Sequence, residues 1–170
     1  MRLAESMSLK NAILIAAVTA SLGAAGIHFA VIEEHLAEYA LFGFLFLGLA
    51  WFQALWSFLF FVRQSRLRAW LGIVLNLGAV AVWVMSRTTG LPIGPDPWKP
   101  EVVGALDVAA SLLELVVVAC VIALVAPRTR AISSSTRVRS GWLVLAISSA
   151  AVIVVTALAF VTQVATPAMQ

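Results

Sequence analysis

Cysteine is almost absent. Cys120 is the only one in 170 residues, which excludes an intrachain disulfide and any cysteine-based metal motif. It lies inside an apolar run and reads as a small packing residue. Charge is scarce as well, at 11% of residues, and lysine nearly missing: nine of the eleven basic residues are arginine. That bias fits a GC-rich bacterial genome. Histidine occurs only twice, at His28 and His35. No polar stretch is long enough for a soluble domain, so the chain is read as one membrane domain covering residues 1–170.

What fills the space is apolar. The hydrophobic fraction is 62% and the mean hydropathy +1.04, against roughly 45–50% apolar for soluble domains. Five runs reach the length of about 20 residues that a bilayer crossing needs: residues 11–32, 39–62, 69–86, 102–125 and 141–165. The first resembles a secretory signal, with Arg2 and Lys10 ahead of an apolar core and Ser21-Leu22-Gly23-Ala24-Ala25 behind it; we read it as the first membrane helix. The expected fold is all-α and polytopic, with four helices around a polar centre and the fifth at the periphery, where it offers mainly hydroxyls.

The joints set the orientation. Residues 63–68 and 127–140 are rich in arginine, residues 33–38 are acidic, and residues 87–101 hold Pro92, Pro95, Pro97 and Pro100 and read as a stiff loop. With the N-terminus in the cytoplasm, nine of the eleven basic residues lie inside and only Arg87 and Lys99 outside; of the eight acids, only Glu5 is inside. Both counts follow the positive-inside rule, which predicts a bacterial cytoplasmic-membrane protein with its C-terminus outside. The sequence pI of 9.8 does not point to nucleic acid, because the arginines flank apolar runs. The expected partners are membrane lipid and further copies or subunits of a membrane complex.

The densest chemistry lies in residues 26–39, which contain both histidines and Glu33, Glu34 and Glu38. On a helix, His28 and His35 share a face about 10 Å apart along the axis. Asp107 and Glu114, also seven apart, share a face of the fourth span. At about 1.5 Å per residue Asp107 lies roughly 8 Å and Glu114 roughly 18 Å below the outer boundary, with His28 between them in depth. An ionisable group inside a span calls for a partner or a role, so the first and fourth spans are expected to be neighbours. Gln53 and Asn76 read as interhelical hydrogen-bonding groups, and Arg87 as a partner for Asp107.

Histidine with carboxylate is a ligand set for zinc, iron and manganese, and imidazole also suits copper. The expected site is a divalent transition metal held by His28, Asp107 and Glu114, with His35, Glu34 and Glu38 at its entrance and Gln53, Asn76 and Arg87 in support. No Glu-x-x-His or His-Glu-x-x-His motif is present, and no spacing assigns a catalytic reaction. Two alternatives use the same residues: a proton- or ion-coupled transporter, and an accessory or scaffold subunit whose polar stripe holds the bundle together. The pattern His28…Glu34-His35…Gln53…Asn76, the loop Ser86-Arg87-Thr88-Thr89-Gly90-Leu91-Pro92 and then Asp107…Glu114 resembles a group of small bacterial multi-pass membrane proteins, over about residues 20–125. The resemblance implies a polytopic bundle and adds no activity.

Overall fold

The computed structural model describes residues 9–126. Five helices follow in order: α1 Leu9–Ala30, α2 Ile32–Glu38, α3 Ala40–Val62, α4 Arg66–Thr88 and α5 Ala105–Val125. No strand occurs among the described residues. The four long helices hold 22, 23, 23 and 21 residues and are apolar enough to cross a membrane. At 1.5 Å per residue each is about 32–35 Å long, matched to a hydrocarbon core of about 30 Å. They correspond to the first four expected spans; the fifth, 141–165, lies outside the described residues, as do Arg2, Glu5 and the arginines after residue 126.

Local chemistry explains where the helices begin and end. The Ser65 hydroxyl accepts from the backbone N–H of Arg68 at 3.3 Å, an N-cap that starts α4 three residues ahead of its apolar run. Arg68 Nη1 donates to the carbonyls of Leu59 and Arg63, both at 2.8 Å, satisfying acceptors left open at the end of α3. The α5 start falls three residues later than its apolar run, at the residue after Gly104. There the Asp107 carboxylate reaches back to accept from the Gly104 N–H at 3.1 Å.

The acidic joint is helical. Val31, at φ −98° and ψ 1°, interrupts the helix, but hydrogen bonds from Val31 N to the Ile27 carbonyl and from His35 N to the Val31 carbonyl carry it across. Glu33 and Glu34 fall in the first turn of α2, where a helix N-terminus favours negative charge. Tyr39 is extended, at φ −158°, and turns the chain into α3.

Packing follows residue size. α1 presents Ala12, Ala16, Ala20 and Ala24 to the interior, all nearly or wholly buried, and short side chains let backbones approach. α1 packs most extensively against α5 and α3, α4 packs against α5, and α3 and α4 touch only sparsely. Gly72 takes the indole of Trp56 against its backbone, in space a Cβ would occupy; that indole donates to the Arg68 carbonyl at 2.8 Å and stacks on Phe60. The outer faces carry Phe44, Phe58, Trp70 and Val74, each more than half exposed. An apolar periphery of that extent is suited to lipid. The described residues therefore form a membrane-type bundle of four long helices, with the 63–65 joint at one end and α2 with the 89–104 loop at the other.

Candidate functional site

A chain of hydrogen bonds crosses the middle of the bundle. Gln53 and Asn76 are fully buried, Glu114 is 2% exposed and His28 5%. Asn76 Nδ2 donates to the Gly72 carbonyl at 2.7 Å. A carbonyl can only accept, so this bond orients the asparagine and leaves its Oδ1 facing Gln53. Gln53 Nε2 then donates to Asn76 Oδ1 at 3.3 Å and to Glu114 Oε1 at 2.9 Å. The remaining neighbour of that same oxygen is His28 Nε2, at 3.1 Å. The ring hydrogen is assigned to Nε2, which lets the carboxylate oxygen accept twice. One backbone carbonyl of α4 thus sets the orientation of both amides. Ser21 of α1 and Ser57 of α3 both donate to the Gln53 carbonyl, at 3.0 and 2.6 Å, which ties α1 to α3 at the same level.

A second polar cluster lies nearer the end that carries the 89–104 loop. Arg87 Nη2 pairs with Asp107 Oδ2 at 2.6 Å, and Arg87 Nη1 with Glu101. Glu101 also donates its backbone N–H to the Ser86 carbonyl at 3.0 Å, so the loop is fastened to the last turn of α4. One cation therefore meets two carboxylates.

Between the clusters is a cavity of about 360 Å³. Its wall is mainly apolar, with Phe42 and Phe46 from α3 and Ala79, Val82 and Trp83 from α4; His28, His35, Asp107 and Glu114 line it too. The Phe46 ring stands between the two imidazoles, 5.3 Å from His28 and 4.1 Å from His35, so both histidines share one side of the structure across the break at Val31. His35 Nδ1 donates to the Val31 carbonyl at 2.8 Å. Four buried polar atoms have no hydrogen-bond partner among the described residues: His28 Nδ1, Gln53 Oε1, Trp83 Nε1 and Arg87 Nε. All but the glutamine oxygen belong to residues of the cavity wall.

The structure thus joins His28 and Glu114, as the neighbouring first and fourth spans require, and adds Gln53 and Asn76 to the pair. It places Asp107 two turns away along α5, with Arg87 and Gly104 on its carboxylate. Glu34 and Glu38 are exposed on α2 and stand outside the cavity wall. Among the described residues no three His, Cys, Asp or Glu side chains converge as a metal-ligand group. Glu101 and the stacking role of Phe46 do not stand out in the sequence; for Glu101 the signal is an acid at the far end of the proline-rich loop that begins at Arg87. No protein-family model, no curated protein and no solved structure matches the chain.

Proposed function

We propose that this protein binds a small, largely apolar molecule within the membrane, in the cavity between α1, α3, α4 and α5, and presents to it the His28–Glu114 pair. One observation carries the reading: the buried pair lies on the wall of a cavity of about 360 Å³, within the range of about 300–1,000 Å³ typical of ligand pockets, and with their usual makeup of apolar lining and a few fixed polar groups. The charge pattern of the joints supports a cytoplasmic position for residues 63–68 and an outer position for the cavity end, in a bacterial cytoplasmic membrane. Five spans, with 141–165 as the fifth, complete the proposed topology. Native mass spectrometry of protein released from nanodiscs tests the binding. Wild type should retain 1:1 adducts from a panel of neutral aromatic compounds, and Ala79→Phe, which fills the cavity, should lose them. Equal adducts on both proteins would refute the reading.

A divalent transition metal is the second reading, favoured by one feature. The carboxylate takes His28 Nε2 and leaves Nδ1 without a partner, as in metal-bound histidines whose other nitrogen is held by an acid. It requires further ligands, and Asp107 would have to leave Arg87 to supply one. Metal content of protein purified without a polyhistidine tag tests it: a stoichiometric metal lost in Glu114→Gln supports the site, and less than about a tenth of an ion per chain removes it, since a structural site of this kind is filled or absent.

A further inference from the structure

We infer that the cavity's occupant is a neutral, lipid-soluble aromatic compound bearing a hydroxyl, a phenol or naphthol in type, whose hydroxyl donates to His28 Nδ1. The inference rests on the cavity being a ligand site and names what it takes.

Four features of the site converge on this class. The first is the route in. Leu45 of α3 and Leu75 and Val82 of α4 border the cavity and are also exposed on the outside of the bundle, at 56%, 39% and 50%. They belong to α3 and α4, which pack only sparsely against each other, so the opening faces lipid and admits solutes dissolved there. The second is charge. Arg87, the cavity's one guanidinium, is already matched by Glu101 and Asp107. An anion would find no free cation among the described wall residues, and burying any unpaired ion in an apolar wall is unfavourable. The wall therefore disfavours an anion, and we take the occupant to be neutral.

The third feature is the hydrogen-bond demand. Assigning the ring hydrogen of His28 to Nε2, which faces Glu114 Oε1 at 3.1 Å, leaves Nδ1 presenting a lone pair. It is buried without a partner and calls for a donor. Trp83 Nε1 and Arg87 Nε are donors without acceptors on the same wall. A hydroxyl answers the first, and a second oxygen on the far side of the molecule answers the others. The fourth is shape. Phe42, Phe46 and Trp83 offer ring faces and edges, which prefer an aromatic partner to a flexible chain.

The test uses the full chain in nanodiscs and three probes: 2-naphthol, its methyl ether and 2,6-dihydroxynaphthalene. Wild type should bind 2-naphthol about tenfold more tightly than the ether, the loss expected when a buried polar atom is left unpaired. His28→Gln places an amide nitrogen near the former Nε2, keeps the donor to Glu114 and removes Nδ1; the naphthol preference should fall to about unity while thermal stability is held. Trp83→Phe leaves the polar chain untouched. It should reduce any advantage of the dihydroxy compound over 2-naphthol, leaving Arg87 Nε as the remaining donor, and keep the preference over the ether. Equal binding of naphthol and ether to wild type, or an undiminished preference in His28→Gln, overturns the inference. If all three probes bind alike and Ala79→Phe expels them, the cavity reading stands and the hydroxyl inference falls. If none binds, both fall.

Discussion

Glu114 is the residue on which the polar chain turns, and its energetic role can be separated from that of its neighbours. Its Oε1 accepts from Gln53 at 2.9 Å and from His28 at 3.1 Å. Glu114→Leu strands both donors. Gln53 Nε2 keeps Asn76 Oδ1 as a partner, so the principal orphan is the imidazole N–H. An orphaned buried donor costs about 1–3 kcal/mol, and each interhelical hydrogen bond in a membrane protein contributes about 0.6 kcal/mol, at most about 1.7. The expected loss for Glu114→Leu is about 2–4 kcal/mol on these figures. His28→Leu alone leaves the carboxylate with only Gln53 and should cost a similar amount. The double variant removes donor and acceptor together, so its loss should fall short of the sum of the two by about 2 kcal/mol. Reversible unfolding in mixed micelles, titrated with a denaturing detergent, measures all three against wild type. Losses that add within 0.5 kcal/mol would show that the two residues do not act as a pair, and the hydrogen-bond chain would then have to be discarded as the organising element of the bundle.

Two further outcomes follow from other parts of the structure. Gly72→Ala places a methyl group against the Trp56 indole, displacing it from the Arg68 carbonyl and from Phe60; overpacking of this kind costs about 1–3 kcal/mol, read as a lowered Tm, whereas Gly78→Ala on the same helix meets open space and should hold or raise Tm, since alanine favours a helix interior over glycine. For the topology, single cysteines in a Cys120→Ala background should be labelled from outside sealed cells at Ala37→Cys and spared at Gln64→Cys; labelling at position 64 would invert the orientation.

Much of the architecture was legible before any coordinates, for a physical reason. In a bilayer the length of an apolar run translates directly into a helix that spans it, so 39–62 and 69–86 mark α3 and α4 to within three residues. Polar groups inside such runs are few and each is unfavourable alone. With only His28, Gln53, Asn76, Arg87, Asp107 and Glu114 to pair, the candidate partnerships were a short set, and the adjacency of α1 and α5 follows from it. The seven-residue spacing of Asp107 and Glu114 puts both carboxylates on one face, however, and periodicity along one helix cannot say which of them meets His28. That depends on how far α1 and α5 slide past each other. Packed alanines and the Arg87–Asp107 pair decided it in the fold, leaving Glu114 for the histidine. The fastening of Glu101 by Arg87 and the sparse packing of α3 on α4 likewise arise from contacts between distant segments. Apolar run lengths were enough to mark the helices and to list the groups that had to find partners; the register between helices emerged on packing, because it is a sum of many small terms across the bundle, and with it which groups are satisfied and which are left facing a cavity.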